Sequence, residues 1–202
     1  MFDGVKILKN DGMLDVEALE TYITENLGGV IGEEYAEVDN RINFTDGEDA
    51  LNKFTDLSDD AWYNDSAKYV LENGLMKGVT DTTFAPNENL TRAMLVTVLY
   101  RAEGEPATNR SIPFSDIDMG AYYANAVSWA KQNGIVNGVT ENEFAPDESI
   151  TREQIAAIMM RYAVYKGMDA LTLEENLHFA DADEISEYAV SSMNWAVGAE
   201  LI

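Results

Sequence analysis

The chain has 202 residues and a mass of 22.4 kDa, which is long enough to bury a hydrophobic core. Its 37 acidic and 13 basic residues give a net charge of -24, which excludes nonspecific nucleic-acid binding because that needs a basic surface. The absence of cysteine excludes disulfides and thiolate metal sites, and the single histidine, His178, excludes any site that needs two. No apolar run approaches the roughly 20 residues that cross a membrane, so we expect no membrane insertion.

Residues 1–50 form a first segment that matches nothing later in the chain. Apolar residues at helical spacing between positions 14 and 23 predict an amphipathic helix that ends at Gly28-Gly29. Residues 41–44 predict a short strand. We therefore expect a small helix and strand segment before the remainder of the chain.

The rest of the chain is repetitive, and residues 54–106 match residues 114–166 without a gap at an offset of 60 positions. The two segments share 16 identities in 53 pairs, where about 3 would arise by chance. A third copy begins at Phe179 and lacks counterparts of the later motifs. The predicted boundaries are 51–110 for the first repeat, 111–172 for the second and 173–202 for a partial third.

Each full repeat predicts a helix, a turn-rich loop and a second helix, so the expected fold class is all-α. Gly74 and Gly134 stand where the first helices end. Thr91 and Thr151 are the predicted N-caps of the second helices, and Thr151 with Gln154 predicts a capping box.

Five motifs occur in the same order in both full repeats: Phe-x-Asp, Asn-Gly, Gly-Val-Thr, Phe-Ala-Pro and Thr-Arg. This order resembles the S-layer homology repeat over residues 54–202. The resemblance implies three helical repeats in a pseudo-trimeric bundle that anchors an exported protein noncovalently to the bacterial cell wall. The implied ligand is a secondary cell-wall polysaccharide, often pyruvylated, held in grooves between repeats. The implied location is extracellular, although no signal-peptide pattern is visible in this sequence.

Arg92 and Arg152 are the leading candidate ligand residues. Each stands at the first position of a predicted helix, where free backbone N–H groups favour an anion and a guanidinium can grip a carboxylate. The alternative for both is a salt bridge to an acidic neighbour. Lys77 is a third candidate cation, and its counterpart is Asn137, so the two grooves need not be equivalent.

Aromatic, acidic and glycine residues complete the predicted site. Trp62 and Tyr122 are candidates for stacking on sugar rings, whereas Trp129 and Trp195 are expected in the core. Two aspartates precede a helix, where they are either caps or partners of a sugar hydroxyl, and two glycines allow tight turns and close approach of a ligand to the backbone. These four residues are Asp56, Asp116, Gly78 and Gly138.

Residues 12–45 are also similar to the C-terminal tail of a 5′-nucleotidase-type domain. The similarity rests on Leu14-Asp15 before the predicted helix, on a Gly-rich turn and on Arg41-Ile42. None of that family's metal-binding motifs occurs here, so such a fragment is expected to be inactive alone.

Three other functions compete with anchoring. No phosphate loop, nucleophile elbow or histidine cluster is present, so we expect neither an enzyme nor a cofactor. Asp81, Glu141 and Asp147 lie in predicted loops, but no stretch has the calcium pattern of an EF-hand, so we expect no metal site. A protein–protein module is the alternative function, because the incomplete third repeat leaves an apolar helix face for the N-terminal helix or for a second copy.

Overall fold

A computed structural model of the chain describes residues 51–170 and 179–202. Within them, the chain forms five α-helices and two short 3₁₀ turns at Ala182–Glu184 and Glu187–Ala189. The helices are α1 (Asn64–Glu72), α2 (Arg92–Ala102), α3 (Ala124–Gln132), α4 (Arg152–Tyr165) and α5 (Val190–Gly198). The only β-type pairing in these residues is an isolated bridge between Thr91 and Ser149.

The all-α prediction is therefore confirmed for the described residues, whereas the pseudo-trimeric arrangement stays a prediction. The predicted helix and strand in residues 1–50 lie outside the described residues, as does the segment that resembles a 5′-nucleotidase tail. None of the helices described is both long enough and apolar enough to cross a membrane.

The chain divides into two compact units, whose described parts are residues 51–88 with 200–202 and residues 89–199. The division falls inside the first repeat, between its loop and its second helix. The predicted repeat boundaries stay a prediction, because the two compact units divide the chain at a different residue.

The first unit contains helix α1 and the loop that follows it. Gly74 follows the C-cap residue of this helix, and its φ of +66° places it in the left-handed region that favours glycine. Val70 O then accepts hydrogen bonds from the N–H groups of Leu75 and Met76, which closes the end of the helix. The buried apolar residues of this unit are Phe54, Ala67, Val70, Leu75 and Leu201.

The second unit is built from two helix pairs, in which α2 packs on α3 and α4 packs on α5. The second helix of each repeat thus packs on the first helix of the next repeat. The Tyr100 and Trp129 rings meet across the first pair at 5.7 Å between centroids. Trp129 and Trp195 are buried, which confirms their expected place in the core.

The helix starts confirm the predicted caps. Thr91 accepts a hydrogen bond from Met94 N at the start of α2, and Thr151 accepts one from Gln154 N at the start of α4. The Gln154 side chain in turn accepts from Thr151 N, which completes the capping box.

The third copy differs from the sequence alignment at one residue. Counting from Phe179 puts Tyr188 level with Tyr123, but Tyr123 is buried and Tyr188 is 55% exposed. Counting back from Trp195 puts Tyr188 level with Tyr122, which is 60% exposed. The third copy therefore has one residue more than the second copy before this position, and the Tyr188 side chain takes the surface position of Tyr122.

Candidate anion-binding site at the repeat junction

Arg92 joins the first repeat to the loop of the second. Its side chain is only 4% exposed, and its Nε donates to Phe144 O at 2.8 Å while Nη2 donates to Asn137 O at 3.1 Å. The guanidinium carbon lies 4.7 Å from the centre of the Phe144 ring. Two of the three guanidinium nitrogens are therefore committed to backbone carbonyls before any ligand arrives.

The backbone around Arg92 is fixed by the same loop. Arg92 N donates to Glu148 O at 3.1 Å, and Ala93 N donates to Pro146 O at 3.0 Å. Ile150 N donates in the opposite direction to Leu90 O at 2.9 Å. These contacts satisfy N–H groups that a free helix start leaves unpaired, so they fix α2 against the second repeat.

The positive charge of Arg92 has no ionic partner among the described residues. Burial lowers the pKa of Arg92, the nearby Tyr188 and Asp116 raise it, and Arg161 lowers it further. No salt bridge joins Arg92 to a carboxylate in the described part of the chain. The guanidinium remains fully protonated at neutral pH, so the site holds a fixed cation whose Nη1 has no hydrogen-bond partner there.

Arg161 adds a second cation to this site, and Tyr188 lies near both arginines. The sequence analysis missed both residues. Arg161 has no hydrogen bond or salt bridge to any of the described residues, and burial lowers its pKa. Burial and Glu153 raise the pKa of Tyr188 to about 12, while Arg92 and Arg161 lower it. The identity of Arg101 and Arg161 at the 60-residue offset was the available sequence signal.

Glu153 sets the position of Tyr188. Its Oε1 accepts hydrogen bonds from Tyr188 Oη and Ser186 Oγ, both at 3.0 Å, and its Oε2 accepts from Ser186 N at 2.9 Å. This carboxylate is therefore already occupied by residues that precede α5. One of these hydrogen bonds holds the Tyr188 hydroxyl, and the other two hold the backbone and side chain of Ser186.

Tyr122 lies at the surface beside the start of α2. Burial and the nearby Asp147 raise the pKa of Tyr122, while Arg101 and a hydrogen bond with the Thr91 side chain lower it. Thr91 directly precedes Arg92, so the structure brings these two predicted site residues to one junction. Trp62 lies in the first unit and is 49% exposed, as a sugar-stacking residue would need to be.

Asp56 and Asp116 each hold the loop of their own repeat. Asp56 accepts from Phe84 N at 2.9 Å and from Ala85 N at 2.7 Å, and Asp116 accepts from Phe144 N and Ala145 N. Burial raises the pKa of Asp56, but these backbone N–H donors outweigh it and hold the pKa below its usual value. Both carboxylates therefore bind residues more than 25 positions later, rather than capping the adjacent helix.

Gly78 and Gly138 allow an aromatic ring to approach the backbone. A Cβ at Gly78 would collide with the Phe54 ring, and a Cβ at Gly138 would collide with the Phe114 ring and with two loop carbonyls. Gly78 has a φ of +81°, which also favours glycine. The packing of the loop thus explains both glycines without a ligand.

Arg152 and Lys77 are placed differently from Arg92. Arg152 lies half-buried at the start of α4, with its guanidinium carbon 5.6 Å from the centre of the Phe179 ring. Its Nε is buried and has no hydrogen-bond partner in the described part of the chain. The Lys77 side chain is exposed in the first unit. Within residues 51–170 and 179–202, no group of histidine or acidic side chains is arranged to hold a metal ion.

Comparison with known proteins identifies the repeats. The S-layer homology domain matches residues 53–93 and 113–156. An endoglucanase of Bacillus sp. (strain KSM-635) is 34% identical over 149 residues, which are 74% of this chain and 16% of the relative. The Surface-layer 125 kDa protein of Lysinibacillus sphaericus is 28% identical over 75% of this chain and 12% of its own length.

A third relative is named for anchoring. The cellulosome-anchoring protein of Acetivibrio thermocellus is 30% identical over 57% of this chain and 27% of its own length. The chain thus spans less than a third of each of these three relatives. The resemblance seen in the motifs is confirmed, and the chain belongs to the S-layer homology family through two repeats of that domain.

Proposed function

We propose that this chain anchors a protein to the bacterial cell wall by binding an acidic secondary cell-wall polysaccharide, such as one with pyruvylated sugars. The coarser part, anchoring at the cell surface, is supported by the two S-layer homology repeats and by relatives named for S-layer formation and cellulosome anchoring. These relatives also agree with the expected location at the cell wall or surface.

The observation that carries the proposal is the pair of unneutralised guanidinium groups at Arg92 and Arg161. Carboxylates greatly outnumber cations in this chain, which has 37 acidic and 13 basic residues. These two influence each other electrostatically, yet neither forms a salt bridge among the described residues. Two fixed cations without a counter-ion attract an anion, and the carboxylate of a pyruvyl ketal is one.

The existing hydrogen bonds of Arg92 limit how its guanidinium would bind such a carboxylate. Nε and Nη2 already donate to Phe144 O and Asn137 O, so these two nitrogens cannot form the usual pair of parallel hydrogen bonds with a carboxylate. The remaining donor, Nη1, would supply one hydrogen bond, and Arg161 would supply the rest. Tyr122 and Tyr188, both largely exposed, would then contact the sugar rings.

Catalysis forms no part of this proposal. The endoglucanase relative is matched by this chain over only 16% of its length. We infer that the shared part is the anchoring repeat rather than a catalytic domain.

The test is cosedimentation with purified peptidoglycan sacculi that either keep or lack their covalently attached polymer. We expect binding only to sacculi that keep the polymer. Arg161→Met should weaken that binding at least tenfold, because it removes a cation that forms no hydrogen bond or salt bridge with the described residues. Lys68→Met is the matched control, because it removes an equally charged residue from an exposed i,i+4 pair with Glu72.

Two results would contradict the proposal. Equal binding to stripped sacculi would show that the polymer is not the ligand. Equal loss of binding in Arg161→Met and Lys68→Met would show that overall charge, rather than this site, controls the interaction.

A further inference from the structure

Glu153 fixes the direction of two hydrogen bonds beside the anion-binding site. Its Oε1 accepts from Tyr188 Oη and from Ser186 Oγ, each at 3.0 Å. Because a carboxylate has acceptor oxygens only, each of these hydroxyl groups must direct its single proton to Glu153. Neither hydroxyl therefore has a proton left to donate to an incoming ligand.

The Tyr188 oxygen is thus limited to accepting hydrogen bonds from a ligand. The phenol keeps its proton at neutral pH, because burial and Glu153 raise the pKa of Tyr188 to about 12. The residue is 55% exposed, as contact with a ligand requires. The remaining lone pairs of its oxygen match a hydroxyl or an amide N–H group, and not a carboxylate.

Arg92 and Arg161 supply the opposite polarity at the same site. Both influence Tyr188 electrostatically, and a guanidinium group can only donate hydrogen bonds. Arg92 Nη1 and the Arg161 guanidinium have no hydrogen-bond partner in the described part of the chain. The site therefore presents donors to an anion and, at Tyr188, a fixed acceptor to a ligand hydroxyl.

The first repeat junction lacks this arrangement. Ala93, which is fully buried, stands 60 positions before Glu153. Tyr122, the counterpart of Tyr188, instead forms its hydrogen bond with the Thr91 side chain. A threonine hydroxyl can donate as well as accept, so Tyr122 can turn its own proton toward a ligand. Of these two tyrosines, only Tyr188 has a fixed polarity.

We propose that Glu153 determines ligand specificity at the site of Arg92, Arg161 and Tyr188, which selects an acidic sugar unit with a free hydroxyl donor near its carboxylate. The carboxylate binds at the two arginines, and the hydroxyl donates to Tyr188 Oη. Glu153 acts through Tyr188 and is therefore a positioning residue. This inference rests on the proposed function, because it names the class of acidic sugar that the same site accepts.

Two small probes separate the contribution of the carboxylate from that of the hydroxyls. The first is a methyl hexoside with one pyruvyl ketal and two free hydroxyls, and the second is the same ketal with both hydroxyls methylated. Each probe is titrated onto the full chain at about 0.15 M salt. In a ¹H–¹³C spectrum, the ring signals of Tyr188, assigned by their loss in Tyr188→Phe, report binding. We expect the first probe to bind at least fivefold more tightly than the second.

Two substitutions of Glu153 should abolish that preference. In Glu153→Gln an amide can donate to Tyr188 Oη, which leaves the phenol proton free to turn toward the ligand. Glu153→Ala introduces the residue of the first copy and removes the acceptor altogether. Both should also bind the methylated ketal more tightly than the unsubstituted chain does, since a negative charge near two cations is lost.

Glu187→Gln is the matched control. Glu187 is exposed directly before Tyr188, and its side chain forms no hydrogen bond with the described residues. This variant removes the same charge and leaves the Tyr188 hydrogen bond intact, so it should keep the preference. Circular dichroism verifies that each variant is folded.

A preference that persists in folded Glu153→Gln and Glu153→Ala would overturn the inference, because the size of the methyl groups would then explain it. Equal binding of both ketals to the unsubstituted chain, or no movement of the Tyr188 signals with either, would also overturn it. The sacculus assay remains independent of this result. Cosedimentation without the preference would support anchoring and contradict this inference, whereas the preference without cosedimentation would do the reverse.

Discussion

Arg92 and Arg152 each follow a threonine N-cap but differ in what surrounds them. Arg92 donates to two backbone carbonyls of the next repeat, whereas Arg152 Nε has no partner among the described residues. An arginine thus links two repeats at the first junction, whereas at the second its Nε donor is unbonded among the described residues.

We expect the two arginines to respond to the same substitution by very different amounts. Arg92→Met should lower the free energy of unfolding by about 3 kcal/mol or more, because Phe144 O and Asn137 O lose charged donors. Arg152→Met should change it by less than about 0.5 kcal/mol, since it removes a donor that is not bonded. Urea unfolding followed by circular dichroism measures both. Similar losses in the two variants would contradict the difference in their contacts.

Asp56 gives the first repeat a dependence on pH. Its folded-state pKa lies below its usual value, so the stability that it contributes is present above the unfolded pKa and is lost as pH falls through the folded pKa. Asp56→Asn should cost about 1–2 kcal/mol at neutral pH. The difference from the unsubstituted chain should shrink as pH falls below about 4.

Thermal unfolding at a series of pH values measures this difference. Asp60→Asn is the control, because Asp60 is exposed in the same loop and has no hydrogen bonds like those that Asp56 accepts from Phe84 N and Ala85 N. A difference that stays constant down to pH 2 would show that the carboxylate charge plays no part in holding the loop.

At the scale of elements, the two second helices differ in their N-terminal caps. Helix α4 has a complete capping box, while α2 has only the half supplied by Thr91, because residue 94 is methionine. Otherwise both helices begin in the same way, with a threonine N-cap and an arginine at the first helical position.

Completing or removing the box should shift stability by a few tenths to about 1 kcal/mol. Gln154→Ala should lower the free energy of unfolding, because Thr151 N loses its side-chain acceptor. Met94→Gln should raise it, because the new side chain can accept from Thr91 N. Chemical denaturation measures both, and changes of the same sign would contradict the capping explanation.

The helices and their caps were predictable, whereas the partners of the site residues were not. Thr151 and Gln154 form the box that their spacing predicts. The partners of Arg92 are backbone carbonyls, which every residue possesses, so the identities of residues 137 and 144 carried no signal for them. Asp56 was expected near its own helix, and instead accepts hydrogen bonds from residues 84 and 85.

At the scale of the whole molecule, a net charge of -24 opposes approach to an anionic polymer. The Debye length falls from about 30 Å at 0.01 M salt to about 8 Å at 0.15 M, so added salt screens this repulsion. Contacts at short range with Arg92 and Arg161 are screened much less.

We therefore expect binding to polymer-bearing sacculi to increase when salt is raised from about 0.01 M to 0.15 M. The measurement is the fraction of protein that cosediments at each salt concentration. Sacculi stripped of polymer serve as the control and should show no such increase. A steady decrease with salt would indicate long-range attraction, which is inconsistent with the charge of the chain.

The junction at Arg92 also bears on how such genes change. Arg92 and its carbonyl partners lie in different repeats, and the two repeats are related by a constant offset of 60 residues. An in-frame gain or loss of 60 codons by unequal recombination between the two full copies leaves each full repeat with its threonine cap, arginine and loop in order. The number of full repeats can thus change while each junction between two full repeats keeps the contacts of Arg92.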